Sequence, residues 1–493
     1  MMFAAALLAT SCDDWLDVRG ENISKENNQF ENYKGFRDAL TGCYMAMGDE
    51  DAYGQRLTMT DVECLANLWY VEDSYETQAP LKYYLSHHDY ANDYSRPAIK
   101  AIYAKLFHIV ASANVLLKNI AEKGGNIADP QARAVVEGEA YAIRAYCQFD
   151  ILRLFGQLPK GDTKQVSLPY SYTTSIDETP AYYSFNDYVT CLKKDIEKAE
   201  ALLKDNDPVF GNTFSQLNNA SSAEDDFLYY RQSRLNYWAV RALHARMALY
   251  IGDTADANAI ATEIINAKGA DGNALMPLSG TSDLTKGYNA LPSECLFYLS
   301  KYNVNSYANN KLVGGRITQV TTSTYFITNE QLNSLYSSIP GSTASHNRYL
   351  YQWNRNAQDT FAKQHAVTKK YWYDENNASS YYLTTKYQVI PMLRMSEVYL
   401  IAMETAKDLS TAQALYDAYM RECQFTLYEP FTSLEEVKKE IVNEYRRELF
   451  AEGQMFFCYK RIAERNMMWN NKTMEEADYI LPLPSSEILN VGK

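Results

Sequence analysis

Apolar residues recur at helical spacing along several stretches of this chain. Between Gln131 and Phe155, the positions Val136, Ala140, Ile143, Cys147, Ile151 and Leu154 follow at intervals of three and four, one face of a predicted helix. Gly156 and Pro159 end it. From Arg234 to Ile251 a second stripe runs through Leu235, Trp238, Ala242, Ala245 and Leu249. Gly252 then stands where a left-handed cap is expected, and Asp253 and Thr254 can cap a helix that reaches Ala267 with Ile260 and Ile264 turned back. Two antiparallel helices with small residues at the contact and a tight turn make an αα-hairpin. Met392–Lys407 followed by Thr411–Cys423 reads as another hairpin, and Ser433-x-x-Glu436 forms a capping box before the stripe Val437, Ile441, Tyr445, Leu449.

The predicted fold is mostly α: a scaffold of tetratricopeptide-like helical hairpins, without their strict period of about 34 residues. Its scaffold segments fall at about 131–156, 180–204, 234–267, 391–423 and 433–465. Between them, 205–232, 269–293, 302–385 and 466–480 are rich in Asn, Ser, Thr, Gly and Tyr and only weakly periodic. Compact domains rarely carry loops beyond about 15 residues unless these are functional. They read as irregular excursions holding short strands and a ligand-binding face.

The front of the chain has another character. Met1–Ser11 is uncharged and apolar and ends in small residues, the pattern of a secretory leader. It is short and lacks a leading Lys or Arg, as a leader trimmed at its start would be. Cys12 follows, then Asp13 and Asp14, the order found where a bacterial lipoprotein is cleaved and lipidated on its cysteine. Acyl chains on Cys12 would hold the protein on a membrane, since each buried CH₂ contributes about 0.8 kcal/mol. The competing reading is a buried N-terminal helix. Beyond Ser11 no apolar run approaches the roughly 20 residues of a spanning helix, so residues 12–493 are expected to form one domain outside the bilayer.

A net charge of −14 argues against nucleic acid, whose phosphates require a basic footprint. Apart from Cys12, the cysteines at 43, 64, 147, 191, 295, 423 and 458 are odd in number and never form CxxC, so free buried thiols are expected and metal binding is not. The 41 tyrosines exceed what a helical core needs. Most can stand in for Phe or Leu at half-buried sites, but Tyr also suits surfaces that meet mixed polar and apolar ligands.

Several blocks together resemble the SusD/RagB family. Glu137–Pro159 carries its "E-A-x-x-x-R-A-Y…R-x-F-G-x-x-P" helix, and Arg234–Ile265 its hairpin. Met392–Ala406 resembles the "R-x-x-E-V-Y-L" helix, and Glu444–Arg461 the "E-R-R-x-E-L-x-x-E-G" segment. Ile480–Asn490 is similar to the closing "P-I-P-x-x-E-x-x-x-N", and Cys12–Val18 to the family's start. Gln454, Met455 and Cys458 depart from the pattern at positions with a structural role. The resemblance implies an extracellular-face outer-membrane lipoprotein that binds oligosaccharide and delivers it to a SusC-like, TonB-dependent β-barrel transporter. Peptide or glycoprotein-glycan capture on the same scaffold, and a helical-repeat scaffold with no small ligand, are the alternatives.

No HExxH, GxSxG, Walker loop or strand-borne GxGxxG is present, so no enzyme and no cofactor is expected. His87 and His88 are adjacent and would diverge on a helix, a poor metal pair, and a solvated role is expected of each of the six histidines. An unmarked glycosidase carboxylate pair is not separable by counting among 61 acids. For binding, a sugar needs a flat aromatic face for its C–H side and polar partners for its hydroxyls. Two or three of each, at about 0.5–1.5 kcal/mol per aromatic and about 1 kcal/mol per hydrogen bond, suit roughly micromolar to millimolar affinity. The family builds its site from the early segment after the first helix plus later loops. The matching stretch Asp61–Tyr84 offers Asn67, Trp69, Tyr70 and Tyr75, with Tyr83 and Tyr84 behind them. Later loops offer Tyr302, Tyr307, Trp353 and Trp372.

Overall fold

The computed structural model describes residues 28–160, 164–175, 178–221, 223, 225–312, 319–339, 341–359, 362–373 and 388–488; the side chains of Ser486 and Ile488 are outside this description. The leader and Cys12 lie outside the described residues. The longer helices are α1 (Tyr33–Met47), α5 (Ser95–Lys123), α6 (Pro130–Phe155), α7 (Phe185–Leu203), α8 (Tyr237–Ile251), α9 (Thr254–Asn266), α10 (Met395–Glu404), α11 (Leu409–Glu422) and α12 (Leu434–Glu448). Short helices α2 (Asp61–Leu65), α3 (Tyr75–Gln78) and α4 (Pro80–Ser86) fill the gap between α1 and α5. Helices pack in sequence order: α5 on α6, α6 on α7, α8 on α9, α9 on α10, α10 on α11 and α12.

Local chemistry explains the element ends. Pro130 occupies the first turn of α6, where its missing N–H costs nothing, and Asp129 accepts from the Gln131 amide. Gly252 (φ +86°) closes α8 in the left-handed region, and Asp253 caps α9 through the Asp256 amide. Ser433 caps α12 through the Glu436 amide.

Two expectations need correction. The stretch from Met392 does not start as a helix: Val389–Arg394 is a strand, β7, paired antiparallel with β3 (Cys295–Ser300), and α10 begins only at Met395. Its apolar run is buried on both sides, which periodicity alone does not separate from a helix. Helix α5 is also long and apolar enough, by composition, to cross a membrane. Ile99, Ile102, Leu106, Ile109, Ala113, Leu116 and Ile120 recur at helical spacing and are buried, while Lys100, His108 and Lys118 stay outside. It is therefore an amphipathic core helix.

One contiguous apolar core runs from Phe30 to Leu481. The excursion 302–385 contributes the sheet β4–β6–β5, from Ile327–Thr328, Gln364–Thr368 and Trp353–Gln358, all antiparallel. The seven described cysteines are free, all buried except the half-buried Cys191.

The charged motif residues turn inward. The Arg394 guanidinium donates to Glu448 at 2.7 Å and to Glu452 at 2.8 Å and pairs with Glu294, and Arg348 meets Glu448 at 3.0 Å. Lys370 bonds Glu452 and the carbonyls of Glu448 and Phe450. Three cations and three carboxylates thus neutralise one another among β7, α12 and the turn after it. Elsewhere Glu139 pairs with Arg231 and Arg234, Arg144 with Asp195, and Arg246 with Glu397. Arg447 and Glu448 are both buried and ion-paired. The histidines at 88, 244, 346 and 365 are likewise buried, against the solvated reading.

Candidate functional site

The early segment leaves α1, turns through α2 and crosses the edge of the three-stranded sheet, where the Tyr70 amide donates to the Phe326 carbonyl at 2.9 Å. Asn67 ends the turn in the left-handed region (φ 55°), half-buried, its side-chain amide 3.7 Å from the Met467 sulfur. The Trp69 side chain points inward and is 2% exposed. Its indole N–H donates to the Met59 carbonyl at 3.0 Å, and Tyr325 and Phe450 pack edge-on against it. Trp353 packs on the other side of Phe450, 5.0 Å between ring centres, and is buried. These two tryptophans knit the early segment to the sheet.

Tyr70 is half-buried, lying against Phe326 and His365, and its hydroxyl donates to Glu72 at 2.9 Å. Tyr75 is buried beside it. Underneath, the buried Lys82 ammonium lies 5.0–5.3 Å from the rings of Tyr75, Phe326 and Tyr325 and donates to the Thr324 carbonyl at 3.1 Å. Burial pushes this ammonium down to about 8. A cation among ring faces is attracted by their quadrupoles, so Lys82 clamps the early segment onto the sheet's edge.

Outward from this clamp runs an aromatic ledge. Tyr83 and Tyr84 lie on α4; Tyr83 leans on His87 at 4.0 Å between ring centres, and Tyr84 lies nearly parallel to Tyr94, 6.0 Å away at 11°. Tyr94 is 53% exposed. The Tyr84 hydroxyl donates to Glu76 at 3.2 Å, and exposed Glu72, Asp89 and Asp93 rim the ledge. Flat rings with carboxylate acceptors beside them match what a sugar presents: an apolar C–H face and donor hydroxyls. Tyr94 and His87 were not singled out from sequence; the signal for Tyr94 is its place just before the first turn of α5, where it has no helix face to bury.

The later candidates disperse. Tyr302 is 82% exposed just past β3, on the wall of a separate groove beside α1. Tyr307 and Trp372 are half-buried; the Tyr307 hydroxyl and the Trp372 indole N–H are buried without a hydrogen-bond partner among the described residues. Asn67, Trp69, Tyr70, Tyr75 and Trp353 thus cluster around the early segment, while Tyr302 stands elsewhere. Among the described residues, no three His, Cys, Asp or Glu side chains converge as metal ligands.

The model of the SusD family matches residues 296–491. The fold is that of SusD superfamily structures. One from Bacteroides thetaiotaomicron has a TM-score of 0.68 at 20% identity, over 93% of this chain and 97% of its own. A "SusD-like carbohydrate binding protein" from Bacteroides vulgatus gives 0.67 at 14% identity, over 93% and 96%. A "laminarin binding SusD-like protein" gives 0.61 at 16%, over 93% and 97%. A search of curated proteins found no match. Residues 296–491 thus resemble the SusD family in sequence, and the described chain shares the fold of SusD superfamily structures.

Proposed function

We propose that this protein captures neutral oligosaccharides on the Tyr83–Tyr84–Tyr94 ledge at the outer face of the outer membrane. It is held there by acyl chains on Cys12 and passes its cargo to a TonB-dependent β-barrel transporter. The observation that carries the reading is the ledge itself: the exposed Tyr94 ring nearly parallel to the half-buried Tyr84, flanked by carboxylates and next to the Lys82 clamp. The carbohydrate-binding names of two structural neighbours support the ligand class. Asn67 and Tyr70 lie on the same early segment as Tyr83 and Tyr84.

Isothermal titration with neutral hexasaccharides and with extended peptides tests the ligand. Tyr84→Ala should weaken sugar binding about two- to tenfold, the loss of one stacking contact of about 0.5–1.5 kcal/mol. Binding of peptides alone would overturn the carbohydrate reading. Palmitate labelling that proceeds equally in a Cys12→Ala variant would refute the anchor, and co-purification without any β-barrel protein would count against the transporter.

A further inference from the structure

Beside α1 lies a groove that the ledge does not use. It has a volume of about 470 Å³, and Tyr44, Met45, Tyr229, Tyr230, Ser300 and Tyr302 are among its walls. Tyr230 and Ser300 also line a neighbouring cavity of about 780 Å³, so the two chambers adjoin at these residues. Four features set it apart from incidental roughness.

Exposure is the first. This chain buries most of its large aromatic side chains, yet Tyr302 is 82% and Met45 73% exposed at the mouth of the first chamber. Backbone strain is the second. Tyr230, where the chambers join, sits in the left-handed region (φ 52°, ψ 41°). A bulky non-glycine residue there costs about 1 kcal/mol or more and persists only when its surroundings enforce it. Here the Tyr230 amide donates to the Leu217 carbonyl at 2.8 Å and the Ser233 hydroxyl donates to the Tyr230 carbonyl at 2.8 Å.

The third feature is charge. Every cation at the first chamber is already engaged. Arg37 meets Asp225 at 2.5 Å and Asp226 at 2.8 Å, Arg234 pairs with Glu139 at 2.8 Å, and the Lys301 ammonium donates to the Gly48 carbonyl at 2.7 Å. Arg37 and Arg234 are therefore neutralised by acids, and Lys301, the remaining cation among the described lining residues, has its ammonium turned to a backbone carbonyl. Finally, Asn218 lines the second chamber, and its Oδ1 is buried without a hydrogen-bond donor. An orphaned acceptor beside a cavity calls for a donor, and a hydroxyl supplies one.

We infer that this two-chambered groove is a second carbohydrate site, which takes a neutral oligosaccharide long enough to reach from Tyr302 past Tyr230 to Asn218. Sugar rings stack on Tyr302 and Tyr229, and hydroxyls bond Ser300 and the Asn218 carbonyl oxygen. Two separated sites on one chain let a long glycan be held at both, which raises its retention over either site alone. The inference rests on the carbohydrate reading of the family ligand, and its test keeps the two apart.

Laminarihexaose, maltohexaose, cellohexaose and xylohexaose are titrated into the native chain, a groove variant (Tyr302→Ala with Tyr229→Ala), a ledge variant (Tyr84→Ala with Tyr94→Ala) and Tyr302→Phe. The expected result is two sites per chain for the hexaose that binds. The groove variant weakens one of them about tenfold and leaves the other. Tyr302→Phe, which keeps the stacking face, binds like the native chain. A single site per chain that the groove variant leaves intact overturns this inference and leaves the ledge standing. Binding that the ledge variant leaves intact and the groove variant abolishes supports the groove and overturns the ledge. No binding of any hexaose overturns both.

Discussion

Gly453 and Lys82 show how single positions hold the site in place. Gly453 lies in the turn after α12 at φ +71°, and a Cβ there would sit 1.9 Å from the Leu57 carbonyl oxygen. Its amide donates to the buried Glu63 carboxylate at 2.7 Å. Gly453→Ala therefore combines a strained backbone with a clash that only main-chain movement relieves, and should cost about 3 kcal/mol or more; a denaturant midpoint equal to the native one would contradict this. Lys82 makes a prediction in pH. Its ammonium is pushed down to about 8 from an ordinary 10.5 by burial among aromatic rings, with the Cys64 thiol nearby opposing the shift only weakly. Between about pH 8 and 10 the unfolded chain keeps this proton and the folded chain releases it. At this position the unfolded state then binds more protons, so the contribution of Lys82 to stability rises with pH across that window. At about 1.4 kcal/mol for each pKa unit, the rise approaches 2–3 kcal/mol before tyrosine ionisation reverses it. Chemical denaturation at pH 8, 9 and 10 should show the native chain gaining stability relative to Lys82→Met, because the buried cysteines and other lysines that titrate in this window are common to both; a constant difference between the two would contradict this.

At the level of elements, charge and not apolar packing alone fixes how β7, α12 and the following turn meet. Arg394 is buried, with Glu294, Glu448 and Glu452 all on its guanidinium. Arg394→Met leaves buried carboxylates short of a partner, a change that costs about 3–5 kcal/mol, and thermal unfolding should report it as a large fall in midpoint. The same residues show what was legible in the sequence. The helices α6, α8, α9 and α12 were readable because their apolar stripes and caps agree. Arg394, Glu397, Glu448 and Glu452 were recognisable as family motif but not as a buried network, since charged residues in a helical register look the same whether solvated or paired. Helix α5 carries a regular stripe as well, from Ile99 through Leu106 and Ala113 to Ile120, but apolar residues such as Phe107, Val115 and Leu117 also fall off that stripe and blur it. Of the proposed ledge, the stretch Asp61–Tyr84 supplies Tyr83 and Tyr84, whereas its Trp69 spends its indole on the Met59 carbonyl; nothing in local sequence distinguishes a tryptophan that packs inward from one that faces out. Tyr94 was missed for the opposite reason: its exposure follows from where α5 begins.

For the whole molecule, the balance of charge bears on which glycan it can hold. The chain carries a net charge of −14, and its internal ion pairs neutralise most buried cations locally, so the excess negative charge is felt at the surface. The ledge concentrates it: Glu72, Glu76, Asp89 and Asp93 stand exposed around the rings, with Arg96 already paired to Asp93. Glu72 is held below the usual carboxylate range by hydrogen bonds from Ser74 and Tyr70, so it stays ionised through neutral pH. A neutral sugar donates hydrogen bonds from its hydroxyls to these carboxylates, whereas a uronate brings like charge to a rim where the acids outnumber the nearby cations Arg96 and Lys363. Screening separates the two cases, because the Debye length falls from roughly 20 Å to about 4 Å between about 20 mM and about 500 mM salt. Affinity for the neutral hexaose should then change less than about twofold over that range, since no ion pair forms. Hexagalacturonate should bind at least about tenfold more weakly than the neutral hexaose at low salt and recover part of the difference at high salt. Tighter binding of the uronate at low salt would mean that an unpaired cation, and not the acid-rimmed ledge, governs capture.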